Sequence, residues 1–136
     1  FFNRFREKLE KLNCKIAFES DMKPSELLKF IKNFDANFGV NYDTGNSASL
    51  GYDPSEEISV YGHRIINVHI KDRKLGGSTV PLGSGNCSFD NVFRNLNMAS
   101  YNKNYILQTA RDFDGNHSKV LKEYKDMTTE WIEKYG

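Results

Sequence analysis

Four short runs of alternating apolar character recur along the chain, each followed by a longer amphipathic stretch, and this alternation constrains the fold more than any other feature. The runs are Lys15–Glu19, Phe38–Asp43, Ile65–Ile70 and Tyr105–Thr109. Their period of two predicts strands. Between them, Pro24 opens a helix carrying Leu27, Leu28, Phe30, Ile31 and Phe34. Thr44-Gly45-Asn46 predicts a turn that ends the second strand. Asp53-Pro54 predicts an N-cap and first turn for a helix through Ile58 and Tyr61 that stops at Gly62. A glycine-rich loop runs from Gly76 to Gly85, and Ser88 is a reasonable N-cap for the helix bearing Phe89, Val92, Phe93 and Leu96. Helical spacing also marks residues 1–12 and about 118–135, with Trp131 among the apolar positions of the last helix. Strand followed by helix, repeated four times, implies right-handed crossovers and a parallel sheet.

The two faces of these strands differ. Ile16, Phe18, Val40, Tyr42, Ile66, Val68, Ile70, Leu107 and Thr109 share the face expected to pack under helices. Lys15, Ala17, Glu19, Gly39, Asn41, Asp43, Asn67, His69, Ile106, Gln108 and Ala110 share the other. A doubly wound sheet, covered on both sides, would leave that second set buried without partners. The interior of a βα barrel tolerates it, because the barrel mouth is where polar groups are used. A closed barrel takes eight strands and only four are here. The fold expected is therefore α/β, half of a (βα)8 barrel, with a natural chain about twice this length. The start at Phe1-Phe2-Asn3, without an initiator methionine, fits an expectation that an upstream portion is missing.

Composition excludes several classes. The 19 basic and 18 acidic residues give a net charge of +1 with no polybasic run, so no nucleic-acid partner is expected. No apolar stretch is long enough to span a membrane, and no signal peptide is visible. Cys14 and Cys87 suggest neither a disulfide framework nor a zinc site, which points to a reducing, cytoplasmic setting. A homo-oligomer is the expectation for the full-length protein.

Each predicted strand ends in a polar residue on the inner face: Glu19, Asp43, His69 and Gln108. Singly, each has a plain structural explanation, such as turn formation by Asp43 or a helix-entry acidic cluster at Glu19. Together, one per strand at the mouth end, they form an oxygen-rich set with one nitrogen. Such a set suits a divalent metal, with Mn²⁺ or Mg²⁺ favoured and Co²⁺ or Zn²⁺ also accommodated.

Several segments resemble the sugar-phosphate isomerases and epimerases of the xylose-isomerase-like superfamily. Asp43-Thr44-Gly45-Asn46 followed by Leu50-Gly51-Tyr52-Asp53-Pro54 is similar to their sixth-strand motif. Gly62-His63-Arg64-Ile65 and Val68-His69-Ile70-Lys71-Asp72-Arg73 are similar to their seventh, and Val80-Pro81-Leu82-Gly83-Ser84-Gly85 to the loop after it. Phe18-Glu19-Ser20-Asp21 and Ile106-Leu107-Gln108 stand where strands five and eight belong. The resemblance covers roughly Lys15 to the end and implies the C-terminal half of the barrel, strands five to eight with their helices. It further implies that Glu19, Asp43 and His69 bind metal and that Glu19 moves a proton beside the substrate carbonyl. Lys71 and Arg73 would then face a small sugar or sugar phosphate. Asn46 occupies the position of a substrate-contacting histidine in some relatives.

The chain departs from that pattern at Gln108, where the epimerases carry a fourth acidic ligand that is also the second acid/base. An amide oxygen coordinates metal but transfers no proton near neutral pH. One-base aldose–ketose isomerisation survives this change better than two-base epimerisation. Gln108 also keeps open a catalytically silent sugar-binding domain, and the superfamily admits an endonuclease IV-like nuclease, for which three histidines and a neutral surface are a poor fit. Arg111 is a candidate anion clamp or a partner for Asp112 or Asp114. The glycine-rich loop is expected to be a mobile rim of the site.

Overall fold

A computed structural model describing residues 2–135 shows how these segments assemble. After a 3₁₀ turn at Phe2–Phe5 and α1 (Arg6–Lys11) come β1 (Ile16–Phe18), α2 (Pro24–Ile31), β2 (Phe38–Asp43), α3 (Thr44–Leu50), α4 (Pro54–Tyr61) and β3 (Ile65–Ile70). A two-stranded hairpin, β4 (Asp72–Arg73) and β5 (Thr79–Val80), precedes α5 (Phe89–Met98), β6 (Asn104–Leu107) and α6 (His117–Tyr135). Strands β1, β2, β3 and β6 form one sheet in that order, every pairing parallel. This is the arc of a partial barrel, as the alternation predicts.

The core lies between the outer face of the sheet and the helices. Leu27 and Ile31 of α2, Ile58 and Tyr61 of α4, and Val92, Phe93 and Leu96 of α5 close over Phe38, Val40, Tyr42, Val68 and Ile70, all buried. Full burial of one such aliphatic or phenyl side chain contributes about 1.5–3 kcal/mol, so this layer dominates stability. Phe18, Phe30, Phe34 and Phe38 pack with ring centroids 5.1–6.0 Å apart. Phe89 stacks on Trp131 at 4.3 Å, which ties α5 to α6. Phe30, Phe34, Phe89 and Trp131 thus pack in or against the core, as expected from the helical spacing of these residues.

Several local expectations are corrected. The segment Thr44-Gly45-Asn46 is no open turn but the start of α3, because Asp43 caps it and Ser47-Ala48-Ser49 continue it into the interior. Ile66 is not on the outer face. The pairing of β2 with β3 shifts between Val40 and Asn41, so that Val40 faces Ile65 but Asn41 faces Asn67. The extra residue places Ile65 in the core and Ile66 over Gly39, where a Cβ would lie 2.6 Å from Ile66 Cγ2. Gly39 is therefore a packing requirement. The outer strands are shorter than expected at their mouth ends, with Glu19 and Gln108 just beyond β1 and β6. In the first helical segment Phe1 lies outside the described residues, and Leu12 is exposed rather than part of an apolar face.

Candidate metal centre

Asp43 ends β2 and caps α3, and these two roles orient its carboxylate. Its Oδ1 accepts hydrogen bonds from the backbone N–H groups of Gly45 (2.9 Å) and Asn46 (2.8 Å). Its Oδ2 is left to face the inner surface, where Lys71 Nζ lies at 3.0 Å and His69 Nδ1 at 3.8 Å. The side chain is 1 % exposed, so this carboxylate is held in one orientation with one oxygen on offer. Thr44 fixes the neighbouring backbone. Its hydroxyl donates to the carbonyl of Lys71 (2.6 Å) and accepts from the Lys71 N–H (2.9 Å), which joins the end of β3 to the start of α3.

Glu19 is held by two amides. Asn46 Nδ2 donates to Oε1 at 2.9 Å, and Asn41 Nδ2 donates to Oε2 at 2.6 Å. His69 Nδ1 lies 3.2 Å from the same Oε2 and 3.0 Å from Asn41 Nδ2. Beneath them Asn67 Nδ2 donates to Asn41 Oδ1 at 2.7 Å. Asn41 and Asn67 thus form an amide layer supporting the groups at the mouth. Sequence reasoning places both on the inner face but assigns them no part in the site. The signal was their parity with Asp43 and His69, two residues further along each strand.

Glu19, Asp43 and His69 each offer one ligand atom, and these atoms lie within 4.8 Å of one another. Two carboxylate oxygens and one imidazole nitrogen at that spacing fit a hard or borderline divalent cation. The amides gripping Glu19 and the backbone N–H groups gripping Asp43 are the outer support such a site requires.

Arg73 joins this group through Asn46. Its Nη1 donates to Asn46 Oδ1 at 2.9 Å, while Nε and Nη2 donate to the carbonyl of Gly77 at 3.0 and 2.7 Å. The glycine-rich loop, expected to be mobile, is tethered. Buried Asp72 accepts from the N–H groups of Gly83 (2.9 Å), Gly85 (2.8 Å) and Cys87 (3.1 Å). Gly85 has no room for a side chain there, since a Cβ would sit 2.0 Å from Asp72 Oδ1.

Gln108 and Arg111 are placed differently. Both are exposed and line, with His117, Val120 and Leu121, a cavity of about 220 Å³ against α6. The Gln108 N–H continues the strand ladder to the carbonyl of Ile70 at 3.0 Å, and Gln108 lies two residues beyond Ile106, the register partner of His69. Neither side chain shares a hydrogen bond with the Glu19, Asp43 and His69 group among the described residues.

A third buried carboxylate, Glu57 of α4, lies behind β2. It accepts from Tyr42 (3.2 Å), from Tyr61 (2.8 Å) and from Ser47. Burial raises its pKa above the usual carboxylate value, and burial raises those of Tyr42 and Tyr61 as well. Burial, with nearby Asp72, also pushes the Cys87 thiol up, so it is no ready nucleophile.

The model of the family described as xylose isomerase-like TIM barrel matches residues 3–131, nearly the whole chain. The chain belongs to this family. It includes sugar isomerases and epimerases as well as endonuclease IV-like proteins, and its members are generally enzymes. Among solved structures, a xylose isomerase domain protein from Planctomyces limnophilus superposes with a TM-score of 0.76 at 21% identity, covering 89% of this chain and 48% of that one. A xylose isomerase domain protein from Alicyclobacillus acidocaldarius subsp. acidocaldarius gives 0.76 at 15% identity, covering 92% of this chain and 53% of that one. At such identities the likeness is one of fold. The chain spans about half the length of these xylose isomerase-like barrels. No curated protein sequence is significantly similar to it.

Proposed function

We propose that this chain carries the metal-binding side of an isomerase or epimerase acting on a small sugar or sugar phosphate. The observation that supports it is the convergence of Glu19, Asp43 and His69 at the mouth end of three adjacent parallel strands. These three would hold a divalent cation, Mn²⁺ or Mg²⁺ before Co²⁺ or Zn²⁺, while Gln108, exposed at the end of the next strand, stands outside the group. When bound, the cation would polarise the substrate carbonyl and offset the charge of an enediolate.

Glu19 is the proton carrier. It is the most open of the three, its side chain 38 % exposed, and two amide donors fix its carboxylate. It takes the proton from the carbon beside the carbonyl, and the C–H pair becomes the enediolate C=C bond as the carbonyl pair moves to oxygen. The same carboxylate returns the proton to the former carbonyl carbon, while the adjacent hydroxyl becomes the new carbonyl and its proton passes to the former carbonyl oxygen. An aldose and a ketose are interconverted with no net gain or loss of atoms. Isomerisation through one base needs no acid at Gln108, whereas two-base epimerisation does. Lys71, Arg73 and Asn46 border this point and would receive substrate oxygens or a phosphate, with Arg111 at a greater remove. A net charge of +1 and three histidines do not favour the nuclease branch of the family.

The test is solvent exchange. With Mn²⁺ in D₂O, the protein should introduce deuterium beside the carbonyl of one member of a panel of aldoses, ketoses and their phosphates. Glu19→Gln should keep much of its metal, because an amide oxygen still coordinates, yet lose exchange by about 10²–10⁴-fold. Exchange by Glu19→Gln at the wild-type rate would overturn the assignment.

A further inference from the structure

Lys71 occupies the position at which the metal's own charge would act. Asp43 Oδ1 is consumed by two backbone N–H groups, so Oδ2 is the oxygen free for a cation, and Lys71 Nζ already holds it at 3.0 Å. The lysine stem is guided there. It crosses the first turn of α3 so closely that a Cβ on Gly45 would lie 2.5 Å from Lys71 Cγ. Its backbone is pinned on both sides by Thr44. The ammonium ends beside the same group of ligand atoms, with a side chain only 15 % exposed.

We infer that Lys71 is a tethered counter-cation for Asp43 and that a divalent ion displaces it, so that the ammonium becomes available to an anionic substrate group only in the metal-loaded protein. The inference rests on the metal site proposed above. A divalent ion sharing Oδ2 would stand within a few ångströms of the ammonium, and at such separations like charges repel strongly in a partly buried site. The lysine has somewhere to go, because its stem is flexible and its partner is a single oxygen rather than a fork of acceptors. Metal therefore binds before substrate, and an anionic substrate binds the metal-free protein poorly.

Two measurements on the purified protein test this. Lys71→Met keeps the stem that packs on Gly45 and removes the charge. Calorimetric titration with MnCl₂ should show it binding Mn²⁺ about tenfold more tightly than wild type. Equal or weaker binding by a folded Lys71→Met variant would overturn the exchange. The second measurement needs no variant: acylation of Lys71 by an amine-reactive ester, read by peptide mass spectrometry, should be faster with Mn²⁺ than without. Wild type that binds Mn²⁺ with unchanged or slower Lys71 acylation would refute the exchange while leaving the metal site standing. Wild type that binds no Mn²⁺ would refute both.

Discussion

At the scale of single residues, the site depends on side chains that support its charged groups as well as on those groups themselves. Asn41 bridges Glu19 and Asn67 and lies against His69, and it is 7 % exposed. Asn41→Ala leaves the Asn67 amide and one Glu19 oxygen without their partner. The expected cost is about 1–3 kcal/mol, seen as a lower urea midpoint, because unsatisfied polar groups away from water lose most of a hydrogen bond's value. An unchanged midpoint would mean that the amide layer is incidental. Asp43 and His69 were legible in the sequence because strand alternation fixes which face each occupies, whereas Glu19, one residue past β1, is turned toward them by the amides of Asn41 and Asn46. Gln108 was less so: it lies past the end of β6, where alternation no longer dictates direction, and its exposed side chain borders the cavity against α6.

Among the elements, α3 and α4 carry the features that residue patterns concealed. The sequence Thr44-Gly45-Asn46 has the composition of a turn, and only the capping geometry of Asp43 shows it to be a helix start. Ile58 and Tyr61 were readable as the core side of α4, but Glu57 was not, since a charged residue on a short helix is ordinarily solvated. Its three hydroxyl partners come from β2, α3 and α4, and such a set is visible only once those elements are packed together. In the same way, the register shift that turns Ile66 inward leaves no mark on the alternation of β3 itself. Glu57 gives stability a particular pH dependence. Burial raises its native pKa above the ordinary 4.5, so the native state holds this proton more tightly than the unfolded chain does. The resulting stabilisation is whole below the unfolded value and is lost as pH rises through the native one. Thermal unfolding of wild type and Glu57→Gln from about pH 4 to about pH 8 should show the wild type losing ground to the variant as pH rises. A constant difference, or one of opposite sign, would contradict this account of the cluster.

For the molecule as a whole, the strand–helix alternation made the barrel arc legible, and the inner face of that arc carries the candidate site. Strands β1 and β6 are the edges of the four-stranded sheet, and inner-face Ile106 on β6 is 47 % exposed. The solved barrels that this chain resembles are about twice as long, and the arc seen here corresponds to half of such an architecture. Among the described residues no helix is long and apolar enough to cross a membrane. What the chain supplies complete is the group drawn from three neighbouring strand ends, and the central claim is that this group holds a metal. Titration with Mn²⁺, followed by the loss of the free-ion electron paramagnetic resonance signal, tests that claim most directly. Wild type should take up one ion per chain. His69→Ala, lacking the only nitrogen donor of the set, should bind it more weakly by at least the roughly 10–100-fold that loss of a mere supporting group costs a metal site. Wild type that leaves the free-ion signal undiminished, or a His69→Ala variant that titrates identically to it, would contradict the account.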